Sequence, residues 1–350
     1  MKKILCSGAV LLLTTSLAHA AGLDRSGQSV GIIFEEGNAF ELSFGSVSPS
    51  VTGNFFGILE SGNVAPSYNQ VGFGIKMQQT DELSLSVMMD QPFGAAVDYV
   101  EAGYPLEGTS ANVFSHGLTA IGRYQTSPNV SVYGGLRAVT ANGNYTRPAI
   151  GFIPGYSSDY RADSGLGYVV GAAYEMPEIA LRVAATYSSS IDLALESDTG
   201  QLTTTLPESI NLDFQSGIAA DTLLFGSIRW VGWDGFTLTD DNPLSGGDLV
   251  AYDRDGVTYN LGIGRRFDDQ LSGSVSVGYE KASGEAASDL SPTDGYMSVS
   301  LGAAYQLTDD FELSGGVRFM RLGDATTDGL GAEFADNTVR AIGVKLSYNH

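Results

Sequence analysis

Strand-length segments whose side chains alternate between apolar and polar constrain this chain more than any other feature. In the stretch 71–78, Val71, Phe73, Ile75 and Met77 point one way, while Gly72, Gly74, Lys76 and Gln78 point the other. A water-soluble sandwich would hide the apolar face and show water the polar one. Here the apolar face recurs along most of the chain, and the opposite face is mostly Gly, Ser, Thr and charge. A closed barrel in a membrane reconciles the two. Apolar side chains meet lipid, polar ones meet the lumen, and every strand finds backbone partners on both sides. The expected fold is therefore all-β, a transmembrane antiparallel β-barrel.

The punctuation sets the strand number. Six short turns separate alternating runs: Thr80-Asp81-Glu82, Ser127-Pro128-Asn129, Pro177-Glu178, Ala219-Ala220-Asp221, Asp268-Asp269-Gln270 and Thr308-Asp309-Asp310. Longer connections fall near 52–67, 92–111, 142–161, 197–203, 237–254, 282–294 and 322–336. Six hairpins plus a first and a last strand make about fourteen strands, an even number, with short turns periplasmic and long loops outside. Charge placement tests this scheme. Val130, Val132, Leu136 and Ala138 share one face, while Ser131, Tyr133 and Arg137 share the other. Arg182, Arg229 and Arg318 also fall opposite the apolar residues of their strands. An arginine facing mid-membrane lipid would cost about 2–4 kcal/mol. Aromatic residues near strand ends, Trp230, Trp233 and Phe236 among them, read as an interfacial girdle.

Residues 1–20 read as a signal peptide: Lys2 and Lys3, an apolar core around 9–13, and the small-x-small site Ala18-His19-Ala20. The single cysteine, Cys6, leaves with it, so no disulfide or thiol chemistry is expected of the mature chain. The formal net charge of -22 argues against nucleic acid as a partner. No later apolar stretch suits a membrane helix. The domain reading is 1–20 signal peptide, 21–38 N-terminal hatch in the lumen, and 39–350 barrel. The hatch reading rests on a segment without clean period that carries a compact apolar triplet, Ile32-Ile33-Phe34. A free tail has no use for such a triplet; a disordered tail is the alternative.

The third strand starts cleanly at Leu83, Leu85, Val87 and Met89, and then meets Gln91-Pro92-Phe93-Gly94. Proline removes a ladder donor and glycine loosens the backbone. The residues alone allow either the end of the strand or a kink within the wall. The short run before it, against ~9–11 residues for a full span, favours the kink. No enzyme is expected: His116 and His350 are the histidines beyond the leader, and the neighbours Ser115 and His116 face opposite sides of a strand. The acidic loop with Asp234, Asp240, Asp241, Asp248, Asp253 and Asp255 matches no complete calcium motif and reads as solvated. No metal or cofactor is expected.

Several stretches resemble the outer-membrane long-chain fatty acid and hydrocarbon transporters, the FadL/TodX family. The strongest runs from Leu206-Pro207-Glu208-Ser209 to Arg229-Trp230-Val231-Gly232-Trp233-Asp234-Gly235-Phe236, similar to a Leu-Pro-x-Ser strand followed by a Trp-x-x-Trp-like ending. Phe44-Gly45-Ser46-Val47-Ser48-Pro49-Ser50-Val51 resembles the first strand of that family, and the stretches 257–267 and 295–305 add support. The resemblance implies a fourteen-stranded barrel, an N-terminal hatch and a kinked third strand that opens a lateral exit. Two features depart from it: the hatch is short and lacks an Asn-Pro-Ala element, and the loop at 142–161 is short. The function expected is passive outer-membrane transport of hydrophobic compounds, foremost long-chain fatty acids, by a monomer in a Gram-negative outer membrane. Outer-membrane lipid, lipopolysaccharide and the barrel-assembly machinery would be its other partners. Ile32, Ile33 and Phe34 would form the hatch, and Pro92, Phe93 and Gly94 the lateral opening. Arg137, Arg182, Arg229 and Arg318 are lumenal candidates for a carboxylate. The alternative is a general diffusion porin for small polar solutes.

Overall fold

A computed structural model describes residues 23–149, 151–152 and 154–350. The leader expected at 1–20 lies outside the described residues. Fourteen strands form one closed antiparallel barrel. They are β1 (Ala39–Ser50), β2 (Tyr68–Gln78), β3 in two pieces (Leu83–Asp90 and Gly94–Asp98), β4 (Ser110–Ser127), β5 (Val130–Arg147), β6 (Tyr156–Met176) and β7 (Leu181–Ser188). The circuit continues through β8 (Ser209–Ala219), β9 (Thr222–Val231), β10 (Gly256–Arg266), β11 (Leu271–Glu280), β12 (Tyr296–Gln306), β13 (Phe311–Leu322) and β14 (Thr338–Asn349). Closure comes from β1 against β14, with Ala39 opposite Asn349 and Ser50 opposite Thr338.

All six short turns stand where their residues place them. At Asp268, the carboxylate accepts the backbone N–H groups of Gln270 (2.8 Å) and Leu271 (2.7 Å). Those two bonds hold its pKa below the usual carboxylate range and fix the turn between β10 and β11.

The outer face carries the apolar parity. Leu42, Phe44, Leu118, Leu136, Leu166, Val277, Leu301 and Ile342 are all exposed. Ser131, Arg137, Arg229, Ser314 and Arg318, on the opposite parity, are buried in the lumen. This belt ends on the long-loop side, where the outward series passes from Phe44 to Ser46 and Ser48 and from Ala138 to Thr140. Above that edge the alternation inverts. Val47 and Val51 point inward and are buried, as are Val139 and Ala141. There the interior of the wall packs against loops and the lumenal segment, so apolar side chains turn inward as they do in a soluble core. Leu136→Arg, at a position 67% exposed on the lipid face, is expected to lower folding stability in bilayers by up to about 2–4 kcal/mol. Urea titration of vesicle-inserted protein checks this.

The connections differ from expectation in two places. β5 and β6 run on to Arg147 and from Tyr156, so the loop expected at 142–161 is largely a protruding hairpin. The region around 197–203 is the tip of a separate hairpin, Ile191–Glu196 with Gln201–Leu206. This hairpin joins Phe236–Asp240 and Gly247–Tyr252 in a four-stranded sheet over the barrel mouth. A second small sheet joins Gly53–Phe55 and Leu59–Glu60 to Ala325–Thr326 and Glu333–Phe334. The acidic loop is only partly solvated. Asp240 is buried and accepts the hydroxyls of Tyr160 (2.8 Å) and Tyr156 (3.2 Å).

Candidate functional site: the interrupted third strand and the segment behind it

The girdle reading needs correction first, because it bears on the site. Trp230 lies on the outer parity, but Trp233 is 1% exposed and Phe236 is also buried. After Val231 the chain leaves the wall and turns inward. Trp233 meets Phe93 edge-on at 6.0 Å between ring centroids and Phe236 at 4.8 Å. These rings belong to an apolar core that fills the upper lumen, with Leu23, Tyr145, Leu193, Leu202, Leu238 and Val250 among its members. Burial of so much aromatic surface outweighs an interfacial placement.

β3 is kinked rather than ended. Asp90 pairs with Gly117 and Gly94 with Phe114. Three residues on β3 thus face two on β4, which is a bulge. Ser115 closes it: its hydroxyl accepts the Phe93 N–H (3.0 Å) and donates to the Phe93 carbonyl (2.6 Å). Its neighbour His116 faces outward and is exposed. On the other side of β3, the ladder to β2 stops at Phe73 and Met89. Beyond that pair, Tyr68–Gln70 and Gly94–Val97 face each other across a window. Its far end is bridged by Val64, whose carbonyl accepts the Asp98 N–H (2.8 Å) and whose N–H donates to Val51 (2.9 Å).

Residues 23–38 lie in the lumen, and their first residues are stitched to the kink. Asp24 pairs antiparallel with Phe93. The Arg25 N–H donates to the Pro92 carbonyl (2.8 Å), and the Gly94 N–H donates to the Leu23 carbonyl (2.7 Å). Proline's missing donor is harmless here, because only its carbonyl is used. The Asp24 side chain crosses the lumen to β9, where it accepts Arg229 Nε at 2.7 Å. Asp24 is 0% exposed and Arg229 5%. Asn211 completes the tie: its Oδ1 accepts Arg229 Nη1 (2.8 Å) and its Nδ2 donates to the Gly27 carbonyl (2.9 Å). Ser26 donates to Asp90, which also accepts Arg137 Nη2 at 2.9 Å.

The apolar triplet forms a short 3₁₀ turn, Gly31–Phe34. Ile32 and Ile33 are buried. Ile32 packs directly on β2 at Gly74, where an added Cβ would lie 2.7 Å from its Cδ1 and push that methyl aside. Phe34 is held between the guanidinium groups of Arg182 (4.6 Å) and Arg123 (4.9 Å), with Tyr133 edge-on at 5.8 Å. Lys76 Nζ donates to the carbonyls of Glu35 (2.8 Å) and Gly37 (2.9 Å).

The four arginines singled out by parity all point inward but do not converge. Arg137 pairs with Asp90, Arg229 with Asp24, Arg182 lies on Phe34, and Arg318 Nε donates to Ser300 (2.8 Å). Sequence reasoning did not single out Asp24 and Arg25 within residues 21–38, which have no periodic signature, and weighed Ser115 only as a partner of His116. Three cavities surround the segment. Below it, toward the short turns, a chamber of 1080 Å³ has a mixed lining, with Glu35, Lys76, Arg123, Glu175 and Arg182 beside Ile32, Phe34 and Phe214. Above it, a cavity of 40 Å³ is walled by Leu23, Ala95, Val97, Leu238, Val250 and Leu290. A third, of 90 Å³, lies at the window and shares Ala95, Val97 and Leu290 with the second. The two small cavities thus lie along the upper piece of β3, and the one at the window is also lined by Asp24 and Arg25.

No protein-family model and no curated protein matches the sequence. Solved structures do. A FadL homologue from Pseudomonas aeruginosa shares 15% identity over 96% of both chains, with a TM-score of 0.74. The Pseudomonas putida toluene transporter TodX shares 12% over 90% of both chains (TM-score 0.67). The CymD monoaromatic hydrocarbon channel shares 13% over 91% of this chain and 89% of that one (TM-score 0.63). The chain therefore has the fold of these barrels.

Proposed function

We propose that this chain is a passive outer-membrane channel for hydrophobic compounds, and that its cargo leaves sideways through the window between β2 and β3. The observation that carries the reading is the stitching of residues 23–25 to Pro92-Phe93-Gly94, beside two apolar cavities and an unpaired stretch of wall. Cargo gathered among the loops buries apolar surface against the upper core, worth ~25 cal/mol per Å². It then follows the apolar side of β3. Passage straight down would take it past the charged groups of the lower chamber and into water, so exit into the leaflet is the lower path in free energy. Residues 23–34 move as the hatch, and Ile32, Ile33 and Phe34 keep it seated. Long-chain fatty acids are the cargo class proposed first; monoaromatic hydrocarbons, named for TodX and CymD, are the second. The apolar packing across the upper lumen weighs against an open porin.

Uptake by cells lacking their own such channel tests this. Expression of the chain is expected to raise uptake of labelled oleate or toluene several-fold, without raising uptake of a small sugar. A steady, large single-channel conductance in planar bilayers, with no gain in hydrophobic uptake, would sink the reading.

A further inference from the structure

The window is plugged by a charge. The Arg25 side chain reaches from the lumenal segment into the gap, with its Cζ 4.0 Å from the centre of the Tyr68 ring on β2. On the β3 side it presses against Gly94, where an added Cβ would lie 2.9 Å from both Cζ and Nη1. Arg25 is 6% exposed and lines the 90 Å³ cavity. Its neighbours in the lumen are ion-paired: Arg229 with Asp24 and Arg137 with Asp90. Arg123 is paired with Glu175. The Arg25 guanidinium has no carboxylate or other hydrogen-bond acceptor among the described residues, and only the Tyr68 ring offsets its burial. A guanidinium removed from water without an acceptor is costly, so a position that keeps one invites an anionic ligand.

We propose that Arg25 is the headgroup site for the carboxylate of an amphiphilic cargo, which it receives at the window. This rests on the transport reading above and names the cargo class for it. A carboxylate is the planar acceptor that a guanidinium fork binds through two parallel hydrogen bonds. The cavity holds about three water volumes at ~30 Å³ each, room for a carboxylate and its first methylenes but not a whole acyl chain. The tail has two apolar directions: back along Ala95 and Val97 toward the upper cavity, or outward into the leaflet. Because the Arg25 backbone is bonded to Pro92, a headgroup on its side chain pulls on the residue that ties the hatch to the kink.

Myristate and methyl myristate, titrated into the purified full chain in mild detergent, separate charge from chain. The unmodified protein is expected to bind the acid at least about tenfold more tightly than the ester. Arg25→Gln should lose about tenfold or more for myristate and stay within about twofold for the ester, and Arg25→Lys should recover part of the loss. Heat-modifiable migration on gels verifies that each variant is a closed barrel. Equal binding of myristate by the Gln variant overturns the proposal. So does a parallel loss of acid and ester, which would mark Arg25 as packing alone. If the unmodified protein binds toluene or the ester but not the acid, the proposal falls and the transport reading stands. If it binds none of the three, both fall.

Discussion

Oxidation of a chain carrying both Asp24→Cys and Phe93→Cys is expected to abolish uptake of hydrophobic compounds, and reduction to restore it. Asp24 and Phe93 are directly opposed in an antiparallel bridge whose hydrogen bonds flank the pair. Such non-hydrogen-bonded pairs have Cα atoms about 4.5 Å apart, within the range a disulfide spans. Cys6 is the only native cysteine, and a Cys6→Ser background removes any competing bridge. The lock fixes residues 23–25 to the kink at one point of the wall. Each single variant, under the same oxidant, controls for loss of the Asp24 ion pair or of the Phe93 ring. Labelled-oleate uptake before and after reductant is the measurement. Full transport through the oxidised, verified cross-link would show that cargo bypasses this contact.

The second large effect is expected from Asp24→Asn. Removing one charge of a buried pair leaves the other uncompensated, at about 3–5 kcal/mol. Arg229 would keep Asn211 and a neutral amide acceptor at Nε but lose its countercharge. The penalty is expected on seating of residues 23–38 rather than on the barrel, because Asp24 lies on the segment proposed to move. A docking equilibrium shifted by that energy moves by about two to four orders of magnitude. Residues 23–38 should become cleavable by added protease while the barrel still resists heat and detergent. Conductance bursts should appear in bilayers. Adding Arg229→Met to Asp24→Asn removes the stranded charge and should recover part of the protection. An Asn variant as protected and as silent as the parent would show that the backbone stitches alone hold the hatch.

The wall was legible because its rule is local. Val130, Ser131, Val132 and Tyr133 take opposite faces by a period of two, and a turn such as Ser127-Pro128-Asn129 declares itself within three residues. The same rule misread Trp233 and Phe236. Their strand had already ended at Val231, and nothing in the residue types says whether a tryptophan after a strand meets the interface or turns inward. The candidate arginines were legible as inward-facing and no further. Parity gives a direction, whereas the partner of each depends on where residues 23–38 come to rest. The acidic loop shows the same limit: Asp240 is one aspartate among several until Tyr156 and Tyr160 arrive from another strand.

Taken alone, the sequence determined the barrel, its number of strands, the side each residue presents and the position of the break in β3, because each follows from backbone period and turn chemistry over a few neighbouring positions. Only the tertiary structure decided what the break is joined to. Asp24 and Arg229 stand 205 positions apart, Arg25 meets Tyr68 across the lumen side of the window, and Ser115 holds Phe93 from the next strand. These contacts depend on closure of the whole cylinder, which brings distant residues into one enclosed space where unpaired charge and unsatisfied backbone are too costly to leave.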